Sequence, residues 1–288
     1  MLPMFKKEMR TYFTNMTGYA FLTFMLLMMG MFFAFMNIFM GTASFQLALD
    51  GANITFFILV PILTMRLFAE EVRNKTDQLL FTSPLSVVQI VLGKFAAALT
   101  LFVIGVGITI LFPLMMSRFS VDMPVAQIAG SYIGFILMGA CCIAVGLFIS
   151  VLTDNQITAA VSTFAAIFVM FVMDILAISM PTSATASLIF VAVVILAVAF
   201  IWYNATRNVL TSVILGAIGL GAAYGMYLFN NLFFDGIIVR ALLWFSIYAR
   251  FGHLGVGVLN LSDLVYYISF AALFIYLTIN VIEKRRWR

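Results

Sequence analysis

The fold class is decided by the stretch from Gly18 to Met40, GYAFLTFMLLMMGMFFAFMNIFM. It contains no charged residue, and a helix needs about 20 mostly apolar residues to cross the hydrocarbon core of a bilayer. The apolar region of a secretory signal peptide runs to only about 7–15 residues. The stretch therefore predicts a first membrane span that is not cleaved, although Lys6, Lys7 and Arg10 precede it as basic residues precede a signal peptide.

Seven further runs of this kind predict an all-α, polytopic helical membrane protein with about eight transmembrane helices. Together with the first, the eight runs cover approximately residues 18–40, 52–68, 93–115, 126–151, 157–179, 186–203, 208–229 and 260–281. The alternating pattern of a transmembrane β-barrel is absent, because the runs are almost continuously apolar. The polar hexapeptide Tyr203–Asn208 predicts a tight turn between the sixth and seventh spans. The alternative is one span with an outer-leaflet hairpin, which leaves six spans.

The composition of the 288 residues excludes the soluble classes. Hydrophobic residues make up 65% of the chain, charged residues 9%, and the mean hydropathy is +1.17. A soluble domain carries about 25% charged residues. The bilayer is therefore the solvent of this chain, and a cytosolic enzyme, a secreted disulfide scaffold and a nucleic-acid-binding protein are excluded. The pI of about 9.1 reflects residues that set topology.

The positions of Lys and Arg predict the orientation, since cytoplasmic loops carry the excess of these residues. With eight spans, both termini lie on one side together with 12 of the 15 basic residues. Arg118, Arg240 and Arg250 lie on the other side. We therefore expect both termini in the cytoplasm.

Three connections are predicted to be more than turns. Residues 4–17 form an amphipathic interface helix at the cytoplasmic face, with Phe5, Met9 and Tyr12 on one side and Lys6 and Lys7 off it. Residues 66–94 form a cytoplasmic segment. Residues 230–260 form an external, aromatic-rich stretch suited to half-inserted helices at the headgroup level.

Few side chains offer chemistry of their own. Asp174 is the one carboxylate well inside an apolar run, and it is interpreted as a cavity-lining or helix-packing group. His253 is the only histidine and cannot make a metal site alone. Cys141 and Cys142 are adjacent within an apolar run and are interpreted as small packing residues.

The sequence encodes no nucleotide, metal or catalytic site. A phosphate-binding loop would need Gly-x4-Gly-Lys-Ser/Thr, and the only Gly-Lys pair, Gly93-Lys94, is followed by Phe95. The chain is therefore predicted not to be an enzyme and to bind no cofactor. Any ATP-driven activity would use an ATPase on another chain.

The segment 66–94 is the most informative part of the sequence. Arg66 and Glu70, and likewise Glu71 and Lys75, are four residues apart, which predicts paired charges on a helix projecting from the membrane. Thr76 or Asp77 can cap a short helix whose apolar knob contains Leu79, Leu80 and Phe81, and Ser83-Pro84 can end it. Such a knob suits docking onto another protein. The alternative is an ordinary solvated loop.

This segment resembles the permeases of type-2 ABC exporters, most of all the gliding-motility-associated branch. The matching residues are Glu70, Glu71, Arg73, Thr76, Asp77, Leu79, Leu80, Thr82, Pro84, Leu85, Gly93 and Lys94, with Leu79, Leu80, Phe81, Thr82 and Ser83 in the expected coupling helix. Lys75 departs from the family, which often has Gly there. Phe5–Tyr12 resembles the family's elbow helix. The resemblance covers most of the chain and is weaker over residues 187–229, two helices beyond the usual six-span core.

The resemblance implies one membrane permease domain, residues 1–288, in the bacterial cytoplasmic membrane. Its expected partners are two copies of a cytoplasmic ABC ATPase, which would hold ATP and Mg, and a second permease copy in a homo- or heterodimer. An accessory protein is a further expected partner. The expected function is export of an amphipathic substrate driven by ATP.

Two other functions compete with export. One is a non-transporting membrane subunit of an ABC-type mechanotransmission or signalling complex. The other is a stand-alone channel or secondary carrier, against which the scarcity of charge inside the spans argues.

Overall fold

A computed structural model describes residues 1–42, 44–76, 85–117, 125–229, 231–255 and 260–286. Within these ranges all regular secondary structure is helical, and no strand occurs. The prediction of an all-α protein is confirmed.

Fifteen α-helices lie in the described ranges and are numbered here in chain order. They are α1 Leu2–Thr14, α2 Met16–Phe33, α3 Phe45–Ala52, α4 Phe56–Thr64, α5 Ala69–Arg73, α6 Val87–Thr109, α7 Leu111–Met116, α8 Val125–Leu152, α9 Gln156–Ser179, α10 Ala184–Thr206, α11 Val209–Phe229, α12 Asn231–Phe234, α13 Ile237–Phe245, α14 Phe251–Gly255 and α15 Leu261–Arg286. A π-helical turn, Ala34–Phe39, extends α2, and a 3-10 turn, Asn53–Thr55, joins α3 to α4.

Eight helical stretches of the described residues are long and apolar enough to cross a membrane, as predicted. They are Met16–Phe39, Phe45–Arg73, Val87–Met116, Val125–Leu152, Gln156–Ser179, Ala184–Thr206, Val209–Phe229 and Leu261–Arg285. The protein is therefore a polytopic helical membrane protein. The second span begins at Phe45 and not near residue 52. Helix α3, which carries Gln46 and Asp50 among apolar residues, continues through the 3-10 turn into α4.

The helices group into two compact units. The first comprises Met1–Val169 with Ile247–Arg288, and the second comprises Met170–Ser246. That residues 1–288 form one permease domain stays a prediction.

The first unit is built around α8, which packs against α3, α4, α6, α14 and α15. Small residues on α8 allow this close packing. A Cβ on Gly139 would overlap the Phe102 ring, and a Cβ on Gly146 would overlap the Thr64 side chain. Cys141 and Cys142 are buried here, and the Cys141 thiol donates a hydrogen bond to the Tyr267 carbonyl. Their predicted role as packing residues is confirmed.

Aromatic rings fill the space around α8. The Phe56 ring packs on the Phe135 ring with centroids 4.8 Å apart, and Phe102 packs on both at 5.7 and 5.8 Å. Phe251 of α14 meets Phe135 edge-on at 6.5 Å. These rings tie α4, α6, α8 and α14 together.

The second unit is dominated by α10 packed against α11. The turn between them is only Arg207 and Asn208, because α10 runs on to Thr206, and the predicted turn from Tyr203 was too long. Arg207 adopts a left-handed conformation, φ 55°, that reverses the chain. Gly219 accommodates the Ile195 side chain, since a Cβ there would lie 2.8 Å from Cγ2 of Ile195.

The aromatic-rich stretch 230–260 forms the three short helices α12, α13 and α14 within its described residues. Short helices were predicted here. Their external location stays a prediction.

Candidate functional site

Helix α1 forms where the sequence predicts an interface helix, and its location at the interface stays a prediction. Its buried face consists of Met4, Glu8 and Tyr12, spaced one helical turn apart. Phe5 and Met9 flank this face and are half-buried. The predicted face of Phe5, Met9 and Tyr12 therefore shares only Tyr12 with the buried face. An amphipathic pattern puts carboxylates on the polar side, so it could not assign Glu8 to the buried one. Lys6 and Lys7 are exposed, as predicted.

Gly93 allows α1 to lie directly against α6. A Cβ at Gly93 would be 2.9 Å from Cβ of Met4 and 3.2 Å from the carbonyl oxygen of Met1. Any larger residue would push the two helices apart. The glycine thereby brings the Glu8 side chain, one turn after Met4, to the side chain of Lys94.

Lys94 is a fully buried cation, 1% exposed, on the second turn of α6. Its ammonium group lies 2.8 Å from Oε1 of Glu8 and 3.0 Å from Oε2 of Glu71. It also donates a hydrogen bond of 2.5 Å to the Leu67 carbonyl and lies 4.9 Å from the centre of the Phe68 ring. A buried ammonium is stable only when paired and hydrogen-bonded, and this one is surrounded by acceptors.

Lys7 completes the group at the surface, where its ammonium donates to Oε1 of Glu71 at 3.1 Å. We call Lys7, Glu8, Glu71 and Lys94 the lysine cluster. Its two cations and two carboxylates balance. The cluster joins α5 and α6 to α1, which lies far from both in sequence.

Ser150 holds α5, and with it Glu71, in place. The Ser150 hydroxyl accepts hydrogen bonds from the amides of Phe68 at 3.1 Å and Ala69 at 3.2 Å. Ser150 is fully buried on α8. The first amides of a helix lack partners within the helix, so this hydroxyl supplies a cap from a neighbouring span.

The predicted pair between Glu71 and Lys75 was wrong. Glu71 pairs with Lys94 and Lys7, and Lys75 follows the end of α5 in a left-handed conformation, φ 56°. The ion pairs of the described residues do not include the predicted pair between Arg66 and Glu70. The physical reason is that α4 ends at Thr64 and α5 begins only at Ala69, so the two residues do not share one helix.

Tyr12 links α1 to the end of α4. Its hydroxyl donates a hydrogen bond to the Leu63 carbonyl at 3.3 Å. Burial first, and the neighbouring charge of Glu8 second, raise the pKa of the Tyr12 hydroxyl above its ordinary value. The phenol therefore stays protonated and remains a donor.

Four of the predicted coupling residues lie in the described part of the chain. Glu70 and Glu71 are half-buried, whereas Arg73 and Thr76 are exposed. The Thr76 amide donates to the Glu71 carbonyl at 2.9 Å. The other predicted coupling residues, Asp77, Leu79, Leu80, Phe81, Thr82, Ser83 and Pro84, lie outside the described residues.

A polar cleft of about 420 Å³ lies beside the lysine cluster. It is lined by Lys7, Glu8, Thr11, Tyr12, Asn15, Thr17, Arg66, Leu67, Glu70, Glu71, Asn74, Thr76 and Lys94. We use the name polar cleft for this set of residues. It brings the interface helix and the coupling segment into one surface.

The remaining candidates stay apart from this site. Asp174 is half-buried on α9 and has no hydrogen-bond or ion-pair partner among the described residues. His253 pairs with Asp263, Nδ1 to Oδ2 at 3.3 Å, a partner that the sequence did not suggest because it lies on another helix. No group of three metal-binding side chains occurs in the described ranges.

Sequence reasoning missed the buried role of Glu8 and Lys94. The available signal was Lys94 itself, which lies inside the apolar run of α6 and needs an acidic partner there. Glu8 is the nearest carboxylate on the interface helix that α6 could meet.

Comparisons with protein-family models, with curated proteins and with solved structures find no match to this chain.

Proposed function

We propose that this chain is the membrane-spanning permease subunit of an ATP-binding-cassette exporter in a bacterial cytoplasmic membrane. It would move an amphipathic substrate with ATP hydrolysed by two copies of a separate ATPase. The resemblance of the segment 66–94 to type-2 exporter permeases supports this proposal. So does the absence of a nucleotide-binding motif from the sequence, because the energy source must then be another chain.

The lysine cluster is the observation that carries the proposal. In the sequence, Glu71 precedes and Lys94 follows Asp77–Pro84, the segment expected to dock on the ATPase. In the fold these two residues form one buried ion pair. Glu8 ties the same ammonium to α1. Removing one partner of a buried pair costs about 3–5 kcal/mol, so this pair resists separation. We therefore propose that movement of the segment would reach α1 and the spans through it.

The test is copurification of the ATPase with a Leu80→Asp variant. Fully burying a leucine contributes about 1.5–3 kcal/mol, and the introduced carboxylate would be desolvated without a partner. We expect Leu80→Asp to lose the bound ATPase and ATP-driven transport while still inserting and folding. Leu152→Asp is the matched control, since Leu152 is the last residue of α8, is 49% exposed and lies on the side predicted to be cytoplasmic.

An unchanged yield of ATPase with Leu80→Asp would remove the main support for the assignment. A second measurement separates export from a non-transporting role. Stimulation of the ATPase by candidate lipids and peptides in vesicles, with their movement across the bilayer, favours export. ATP hydrolysis that moves none of the candidate lipids and peptides across the bilayer favours the non-transporting complex.

A further inference from the structure

Two charges in the polar cleft are left without partners after the lysine cluster has formed. Neither the Arg66 guanidinium nor the Glu70 carboxylate makes an ion pair or a side-chain hydrogen bond among the described residues. Both line the cleft, yet they do not meet each other. Of the described residues, Arg66 and Glu70 therefore offer the cleft a cation and a carboxylate that have no partner, at separate points.

The cleft lies where two spans cross the membrane boundary. Asn15 and Thr17 stand at the start of the first span, and Arg66 and Leu67 lie in the last part of the second span. The adjoining helix α1 keeps Phe5 and Met9 half-exposed, as expected of a helix in the interface. A ligand at this level is therefore expected to meet lipid headgroups.

The charges match a zwitterionic headgroup. A guanidinium binds a phosphate through two parallel hydrogen bonds, which Arg66 can supply. A primary ammonium has three donors, and Glu70 with the Asn74 amide and the Thr76 hydroxyl offers acceptors for them. The cleft volume of about 420 Å³ gives room for a group that bridges both ends.

The lining favours a primary over a quaternary ammonium. A quaternary ammonium has no N–H and is recognised by aromatic faces. Tyr12 is the one aromatic side chain among the described lining residues, and it is buried with its hydroxyl bonded to Leu63. An ethanolamine group therefore fits better than a choline group.

We propose that the polar cleft binds the headgroup of an ethanolamine phospholipid, with its phosphate on Arg66 and its ammonium on Glu70. Lipid bound there would cover the contact between α1 and α5. The assignment is independent of whether the chain exports a substrate.

The test is mass spectrometry of the full-length protein released from nanodiscs containing equal amounts of phosphatidylethanolamine and phosphatidylcholine. We expect the native protein to retain phosphatidylethanolamine preferentially. Glu70→Gln should abolish this preference while both lipids are still retained through their phosphates. Arg66→Gln should lower the retention of both lipids by about tenfold, as expected when a charge-assisted contact is lost.

Two variants serve as matched controls. Arg73→Gln and Lys75→Gln remove exposed cations close by in sequence that do not line the cleft. Both should retain lipid as the native protein does. Thermal unfolding of all four variants should be the same, because the lysine cluster is intact in each, so that a lost lipid cannot be ascribed to a lost fold.

Soluble glycerophosphoethanolamine tests whether the cleft recognises the headgroup itself, without its acyl chains. It should displace the retained lipid, and inorganic phosphate at the same concentration should do so less well. Equal retention of the two lipids by the native protein, equal displacement by phosphate alone, or full retention by both Arg66→Gln and Glu70→Gln would each overturn the proposal.

Discussion

Lys94 illustrates how a single buried cation organises its surroundings. Moving an ammonium from water into the protein interior costs several kcal/mol, and good geometry with acceptors on every side must offset that cost. Glu8, Glu71 and the Leu67 carbonyl provide those acceptors within 3.0 Å. Glu8 comes from α1, whereas Leu67 and Glu71 come from the segment 66–94, so the position of the cation links these two parts of the chain.

We expect Lys94→Met to lower the free energy of unfolding by about 3–5 kcal/mol, because Glu8 would stay buried without a counter-charge and Glu71 would keep only the exposed Lys7. Adding Glu8→Gln to this variant should recover part of the loss. Titration with denaturing detergent in mixed micelles measures both. Lys7→Gln is the control, since the Lys7 side chain is 54% exposed and should change the value by less than about 1 kcal/mol. Equal losses for Lys94→Met and Lys7→Gln would contradict the buried cluster.

Gly93 is the second residue on which the site depends. Gly93→Ala should lower the free energy of unfolding by about 1–3 kcal/mol, because the new methyl group would overlap Cβ of Met4. Gly107→Ala, on the same helix α6, is the matched control. A Cβ there meets nothing within 4 Å, so alanine should stabilise the helix by up to about 1 kcal/mol. The same unfolding titration should give opposite signs for the two variants.

At the scale of the elements, α5 depends on a cap that it does not carry itself. Ser150→Ala should cost about 1–3 kcal/mol, since the amides of Phe68 and Ala69 would be buried without an acceptor. It should also speed protease cleavage within residues 66–94. Thr100→Ala is the control: its hydroxyl only bonds back to the Ala96 carbonyl of its own helix, and we expect a change below about 0.5 kcal/mol. Unchanged cleavage with Ser150→Ala would show that α5 is held by other contacts.

The spans could be predicted from the sequence because their signal is compositional. A continuous apolar run such as that of α10 identifies a membrane helix regardless of what it packs against. Ends were less predictable: α10 continues through Tyr203 and Asn204 to Thr206, because the helix satisfies its own backbone and polar side chains at an interface do not stop it.

The candidate site was only partly predictable, since it depends on contacts between distant residues. The helix α1 was predicted from its periodicity, but the inward direction of Glu8 depends on Lys94, 86 positions away. The pair of Glu71 with Lys75 assumed one continuous helix, and the turn before α5 together with the left-handed Lys75 breaks that assumption. Local spacing is a poor guide when a stronger partner lies elsewhere in the fold.

At the scale of the whole molecule, the orientation in the membrane remains a prediction. The distribution of basic residues places Arg207 in the cytoplasm and Arg240 outside. In a background with Cys141→Ala and Cys142→Ala, a membrane-impermeant thiol reagent added to intact cells should label Arg240→Cys and miss Arg207→Cys. Both native cysteines are buried, so the background variant should fold with little change.

Lys75→Cys is the control for this experiment, because Lys75 is exposed and is also predicted to be cytoplasmic. It should label only after the cells are permeabilised, as should Arg207→Cys. Labelling of Arg207→Cys from outside would reverse the prediction for the turn between α10 and α11 and would favour the six-span topology. The helices themselves, 23 and 21 residues long, are each sufficient to span.

The packing of α8 against α15 has a consequence for biosynthesis. About 110 residues separate Leu152, where α8 ends, from Leu261, where α15 begins. A ribosome adding about 5–20 residues each second needs roughly 5–20 s to make them. Throughout that interval the surface of α8 that will receive Tyr267 is uncovered in the membrane. Helix α15 thus closes the first unit well after α8 has been made, and a nascent chain released before Leu261 presents the quality-control proteases with α8, one of the two most buried spans of the described residues, still open.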